Sequence, residues 1–329
     1  MQELIKTSLT DTPSSSQESS VHSKALRPEC FSEYIGQCKI VNNLKVYIEA
    51  AKQRNVSVDH ILLYGPAGLG KTTLAQIIAN EMGASLRITS APAIEKAGEL
   101  ASVLCKLQEH DVLFIDEIHR LPKVVEEFLY SAMEDRVVDI MVGQGEQSRS
   151  IRLDLPEFTL IGATTRAGML SAPLRDRFGI VERLEYYSCE ELAEIIKRSA
   201  SLLQVGISDE ASLHLAGCSR GTPRVANNYL KRCRDFATVE QSDFIDERII
   251  LSCMENLGVS KEGYDELDQK IIRVLEESSK PVGLSTLASI VGEDAGTIEN
   301  VVEPYLIYSG VLLKTPKGRM LAAKLSNTA

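Results

Sequence analysis

Three features of the sequence predict an α/β domain on a parallel sheet, then a small all-helical domain, then a C-terminal winged helix. Short apolar strands alternate with helical patterns over roughly the first half of the chain. Four helix-like blocks without strands follow, from CEELAEIIKRSASLLQ to FIDERIILSCMENLG. The chain closes with three helical patterns and two short strands, VLL and RML, around a TPKG turn. The expected boundaries are a polar tail at 1–24, the large domain at 25–185, the helical domain at 186–257 and the winged helix at 258–329.

Composition sets the class. The chain has 329 residues, 44% hydrophobic and 25% charged, as in a soluble globular protein of two or three domains. No apolar run reaches the length of a membrane span, and the N-terminus lacks the basic and apolar regions of a signal peptide. The seven cysteines are scattered, odd in number and never spaced C-x-x-C, which argues against a disulfide framework or a zinc site. Reduced thiols in the cytoplasm are the expectation. The net charge of −10 argues against a protein that coats nucleic acid by bulk charge. It leaves room for a local basic contact.

Taken in order, the tail to residue 24 is rich in Ser and Thr and is expected to be disordered. LRPECFSEYIGQ leads into a helix over about Gln37–Gln53, with Ile40, Leu44, Val46, Tyr47 and Ile48 as its apolar face. HILLYGPAGLGKTTLAQIIA then reads as buried strand, glycine-rich turn and helix. Gly65, Gly70, Lys71 and Thr72 fill G-x-x-x-x-G-K-[ST], the phosphate-binding P-loop. Glycines let successive N–H groups point into one concavity, and the helix start adds its own free N–H groups and positive dipole end. Lys71 reaches for β- and γ-phosphates, and Thr72 offers a hydroxyl to Mg²⁺. A helix, GELASVLCKLQ, precedes DVLFIDEIHRL, whose strand Val112–Ile115 ends in Asp116 and Glu117. Beside a P-loop, such a strand-end pair supplies the Walker B acids. Asp116 serves the Mg²⁺ shell, and Glu117 orients or deprotonates the attacking water.

KVVEEFLYSAMED is helical, and VVDIMVGQGEQSRSIRLDL forms a hairpin over 137–155. Alternation puts Val138, Ile140 and Val142 on one arm and Ile151 and Leu153 on the other, giving one apolar face. FTLIGATTR is another buried strand, ending in Thr164 and Thr165. APLRDRFG sets Arg175 and Arg177 beside an aromatic residue. In the helical domain, Pro223 in a first turn places Arg224 near a helix start. The last domain reads as helices at Leu267–Glu277, Leu284–Val291 and Thr297–Ser309. From Lys314 onward, Lys314, Lys317, Arg319 and Lys324 stand without any acid, a basic patch in an acidic chain.

A P-loop core, a helical lid and a winged helix together indicate an α/β AAA+ P-loop ATPase that acts on nucleic acid. No N-K-x-D is present to read guanine. In AAA+ rings an arginine of one subunit touches the nucleotide of the next, which the pair in APLRDRFG would allow. Two alternatives stand beside a motor. One is a clamp-loader or initiator-type AAA+ machine, against which the winged helix argues. The other is a scaffold that uses nucleotide only as a switch, against which intact Lys71, Glu117 and Arg177 argue.

The stretches LRPECFSEYIGQ, GPAGLGKTTLA, FIDEIHRL, AMEDRVVDIMVGQG, FTLIGATTRAG, APLRDRFGI, GTPRVANN, EPYLIYSG and TPKGRMLA resemble the RuvB family of bacterial Holliday-junction branch-migration motors. The resemblance runs from Leu26 nearly to the C-terminus. It implies adenosine contacts at Leu26, Arg27 and Tyr187, and phosphate contacts at Gly68, Lys71, Thr72 and Thr73. Thr165 resembles a γ-phosphate sensor, Arg177 an arginine finger with Arg175 as rival, and Arg224 the lid's sensor arginine. Lys314 and Arg319 fall where the family touches the DNA backbone. Lys314 stands where many members carry arginine, and Ala295 where some carry a basic residue. The resemblance further implies a homo-hexamer around duplex DNA, driven by ATP with Mg²⁺. It would move Holliday junctions in recombination and repair with a RuvA-like junction-binding protein, docked on the hairpin, and a RuvC-like resolvase.

Overall fold

The computed structural model describes residues 26–142 and 149–322. The polar tail, the hairpin tip and Lys324 lie outside these residues.

The centre is a five-stranded parallel sheet: β1 (Ile61–Tyr64), β2 (Leu86–Ser90), β3 (Val112–Asp116), β6 (Thr159–Thr164) and β7 (Ile180–Arg183). Their order is β2-β3-β6-β1-β7. β6 pairs with β1 on one side and β3 on the other, so Ile161 faces both Ile61 and Phe114 in register. The P-loop leaves the C-terminal end of β1 and the strand-end acids leave β3. Thr164 at the end of the intervening β6, and Thr165 just after it, therefore stand between them. In open parallel sheets this carboxyl edge is where ligands bind. β6 is buried throughout, and β1 and β3 are buried up to their last residues, Tyr64 and Asp116, as both faces are covered by helices. One core cluster joins Leu44, Ile48, Leu63, Leu74 and Ile78 beneath helices Cys38–Arg54 and Lys71–Met82. On the opposite face, Leu100, Leu113, Ile115, Leu129 and Leu160 form a second cluster.

β7 falls outside the strands that the apolar pattern predicts. It is an edge strand of sequence IVER, and only Ile180 is fully buried. The predicted hairpin forms from β4 (Val137–Val142) and β5 (Arg149–Asp154), antiparallel, with Val138 opposite Leu153 and Ile140 opposite Ile151.

The lid is four helices, each begun by a side-chain cap that satisfies orphan N–H groups. Ser188 caps Cys189–Leu202, Ser208 caps Asp209–Gly217, Thr222 caps Pro223–Val239 and Asp246 caps Glu247–Asn256. A two-residue parallel pairing of β8 (Gly206–Ile207) with β9 (Phe244–Ile245) adds to the helices. The head has helices Glu266–Glu277 and Leu284–Val291, then a helical run that opens at Ala295. That run widens into a π-turn at Ile298–Val302 before Glu303–Tyr308. Pro304 has no N–H to close an α-turn there. The wing is β10 (Leu312–Thr315) against β11 (Gly318–Leu321), with Lys314 opposite Arg319. Among the described residues, no helix is long and apolar enough to cross a membrane.

Candidate active site

A cleft of about 540 Å³ opens at the carboxyl edge of the sheet, between the large domain and the lid. Its walls bring together Leu26, Arg27, Gly68, Gly70, Lys71, Thr72, Thr73, Asp116, Glu117, Thr165, Tyr187 and Arg224. Residues that lie far apart in the chain thus meet in one place.

The P-loop is shaped by backbone that other residues resist. Gly65 has φ of 143°, and a Cβ there would lie 2.4 Å from the carbonyl oxygen of Leu184. Gly65 is absent from the cleft wall; it lets the chain turn under it. Gly68 has φ of 83°, and a Cβ there would press on Arg224 at 3.1 Å. The Arg224 N–H donates to the Gly68 carbonyl at 3.4 Å, so lid and loop touch directly. Lys71 is buried, and its Nζ donates to the carbonyls of Gly65 at 2.8 Å and Pro66 at 2.9 Å. Burial lowers its pKa to about 8, against the opposing pull of Glu117 and Asp116. An ammonium held on loop carbonyls is ready to exchange them for phosphate oxygens.

Glu117 sits in the left-handed region at φ 49°, at the end of β3. Its N–H donates to Asp116 Oδ1 at 3.0 Å. Its Oε2 accepts from Thr165 Oγ1 at 3.4 Å. The Thr72 hydroxyl and the Asp116 carboxylate line the same cleft. Hard oxygen donors of this kind fit Mg²⁺, which keeps waters and takes one or two protein oxygens beside substrate phosphates. Where the large domain meets the lid, Tyr187 Oη donates to Tyr34 Oη at 3.0 Å and to the Leu69 carbonyl at 3.4 Å. Burial pushes the Tyr34 pKa up to about 12.

Three family models match in sequence along the chain. The Holliday junction DNA helicase RuvB P-loop domain covers residues 26–184, the RuvB AAA lid domain 187–260 and the RuvB C-terminal winged helix domain 261–327. The chain belongs to the RuvB family. Among solved structures it is similar to the Thermotoga maritima RuvB Holliday junction branch migration motor. That match has 48% identity over 92% of this chain and 98% of that one, with a TM-score of 0.82. A mutant of the same Thermotoga protein matches at 48% identity and a TM-score of 0.83, over 92% of this chain and 97% of that one.

The cleft also gathers residues that motif reading did not name. Pro28, Ile35, Ile195, Arg198, Asn227, Asn228 and Lys231 also line the cleft. Arg198 donates to the Leu26 carbonyl at 3.0 Å and to Glu33 at 2.9 Å, pinning the leading segment that frames the cleft. Asn227, Asn228 and Lys231 follow Arg224 at helical spacing along one face. That signal was present in the sequence.

Arg177 lies away from the cleft. Its guanidinium donates to Glu134 Oε2 at 2.7 Å and to the Pro173 carbonyl at 2.9 Å, and stacks 4.7 Å from the centre of the Tyr130 ring. Arg175 is exposed at the end of the short helix Ala172–Asp176. On the hairpin, Ile151 and Leu153 are exposed, while Val138 at its root is in the core. The hairpin tip and the side chains of Ile140 and Val142 are outside the described residues.

The wing differs from the acid-free patch expected along the chain. Glu299 and Glu303 of the preceding helical run fold against it. Arg319 is buried, with Nε donating to Glu303 Oε1 at 2.6 Å and Nη2 to Oε2 at 3.2 Å. Lys314, half exposed, donates to Glu299 at 2.9 Å. The acids come from upstream, so a stretch of sequence read alone misses them.

Proposed function

We propose that this chain is an ATP-driven motor that pumps duplex DNA and moves Holliday junctions. It would act as a homo-hexamer with a RuvA-like junction-binding protein and a RuvC-like resolvase, in the cytoplasm. The observation that carries this reading is the single cleft that joins P-loop, strand-end acids, Thr165 and lid Arg224 in a chain ending in a winged helix. Lys71, Thr72, Thr73 and the loop N–H groups around Gly68 bind the phosphates of ATP, and Leu26, Arg27 and Tyr187 border the adenosine. Thr72 and Asp116 hold Mg²⁺, which when bound offsets phosphate charge. Glu117 takes the proton of the attacking water. Thr165 and Arg224 report the γ-phosphate to β6 and to the lid. Arg177 serves the neighbouring subunit's site, once released from Glu134 in the ring. Arg175 is its exposed rival.

DNA contact is to phosphates, since a translocating motor cannot depend on sequence. A ring that encircles its substrate needs few such contacts per subunit, which reconciles an acidic chain with DNA binding. Lys314 makes the contact at the surface, and Arg319 sits behind it.

The test is branch migration of a synthetic four-way junction by the full chain, with and without a RuvA-like partner. Migration that needs ATP and is strengthened by the partner is expected. ATP hydrolysis without any junction movement, with the partner present, would overturn the motor reading. Glu117→Gln should bind ATP but stall hydrolysis, because an amide cannot take the proton.

A further inference from the structure

Glu117 is held in place by its neighbours. Its Oε2 lies 3.2 Å from Nδ1 of His119 as well as 3.4 Å from Thr165 Oγ1. The same His119 Nδ1 lies 2.8 Å from Thr164 Oγ1. Thr164 Oγ1 accepts the Arg166 N–H at 2.9 Å. The His119 side chain is nearly closed to solvent, and Thr164 is fully buried. One imidazole nitrogen thus bridges the carboxylate at the end of β3 and the hydroxyl at the end of β6.

The tautomer follows from the partners. A lone pair on Nδ1 would face an anionic oxygen at 3.2 Å. A proton on Nδ1 is shared between Glu117 and Thr164 and satisfies both. Burial disfavours the imidazolium, although the charge of Glu117 pulls the other way. A neutral ring with Nδ1–H is a directional donor that adds no net charge beside the phosphates.

We propose that His119 is a positioning residue for Glu117, resting on the reading of Glu117 as the base. Two donors hold the Glu117 oxygen: Thr165, which is also the proposed γ-phosphate sensor, and His119, which is anchored to Thr164. When Thr165 turns to substrate, its hydrogen bond to Glu117 is given up. The carboxylate is then aimed by His119 alone. His119 and Thr164 keep the base in register with the sensor strand, so Glu117 is freed from Thr165 only when a phosphate is there to be read. The imidazole takes no proton from water itself.

The experiment uses the full chain and measures kcat, KM and, separately, nucleotide affinity by equilibrium binding. His119→Leu removes the donor, and His119→Asn puts an amide N–H near the place of Nδ1. Leu should lower kcat by roughly tenfold or more, with nucleotide affinity and thermal midpoint near wild type. Asn should recover much of that loss. In a Glu117→Gln background, His119→Leu should lower kcat no further, because the group it aims has gone. Nitrogen-15 NMR of the five histidines supplies a readout apart from turnover. The signal that disappears in His119→Asn should show a neutral, Nδ1-protonated ring. Wild-type kcat in His119→Leu, an Nε2–H tautomer, or a parallel loss of fold and affinity in both variants would each overturn the proposal. A Glu117→Gln enzyme with wild-type turnover would instead remove the base reading beneath it.

Discussion

Lys71 shows how burial sets a residue's chemistry. Its lowered pKa, about 8, comes first from loss of water and is only partly restored by Glu117 and Asp116. Below that pH the ammonium is present before nucleotide arrives. Above it the free site holds neutral lysine, while bound phosphates favour the charged form. ATP binding therefore takes up a proton above pH 8, and affinity falls as pH rises, by up to about tenfold per unit. Calorimetry at pH 8.5 in two buffers of different ionisation enthalpy reads that uptake. Affinity that stays flat from pH 7 to 9, with no proton uptake, would show that Lys71 is not the titrating group. In the head, burial separates two residues that look alike in sequence. Arg319→Ala strands Glu303 in the interior without its partner, a change expected to destabilise by about 3 kcal/mol. Lys314→Ala leaves that pair intact. It should weaken duplex binding evenly across sequences and reduce the salt slope by about one. A loss confined to one DNA sequence would mean base reading instead.

Hairpin β4–β5 is the element whose surface invites a partner. Val138 is 1% exposed and fixes the root in the core, whereas Leu153 directly across from it is 37% exposed and Ile151, farther out on the same face, 45%. Ile151→Asp should abolish capture of a RuvA-like partner and leave basal ATPase near wild type. Pull-down beside a DNA-only ATPase assay separates the outcomes; joint loss of both would mean that the face is core. The hairpin itself was legible from alternation and its glycine-rich turn, and the P-loop and strand-end acids from contiguous spacing. Such signals are local. β7 was not legible, because an edge strand buries little and IVER carries two charges. Arg198 and Glu303 were not legible either. Their roles arise only when distant elements pack, Arg198 against Leu26 and Glu303 under Arg319.

At the scale of the whole molecule, the nucleotide cleft and the head are joined by a very short piece of chain. Arg224 lines the cleft, and Arg220, four residues earlier, reaches into the head. Its guanidinium donates to Asp265 at 2.9 Å and Asp268 at 3.3 Å, and lies 5.0 Å from the centre of the Tyr305 ring. Tyr186 stacks on Tyr308 at 4.3 Å beside it. Asp268 is fully buried, and its pKa is pushed up to about 6, first by burial, with Arg220 opposing. A carboxyl raised in the folded state contributes stability that is complete below its unfolded value near 4 and is lost as pH rises through 6. At neutral pH Arg220 is thus what makes a buried carboxylate tolerable. Arg220→Ala should cost about 3 kcal/mol at pH 8. Without Arg220 the Asp268 carboxyl takes its proton at a higher pH still, so the difference from wild type should shrink as pH falls from 8 towards 6 and level off below it. Urea unfolding of both proteins from pH 4 to 8 measures this, and a difference that stays constant would refute the coupling. The same variant keeps every residue of the cleft. It should hydrolyse ATP near the wild-type rate at pH 8 yet move junctions poorly, because lid motion no longer drags the head. Unimpaired junction migration per ATP hydrolysed would show that the force reaches the head by another route.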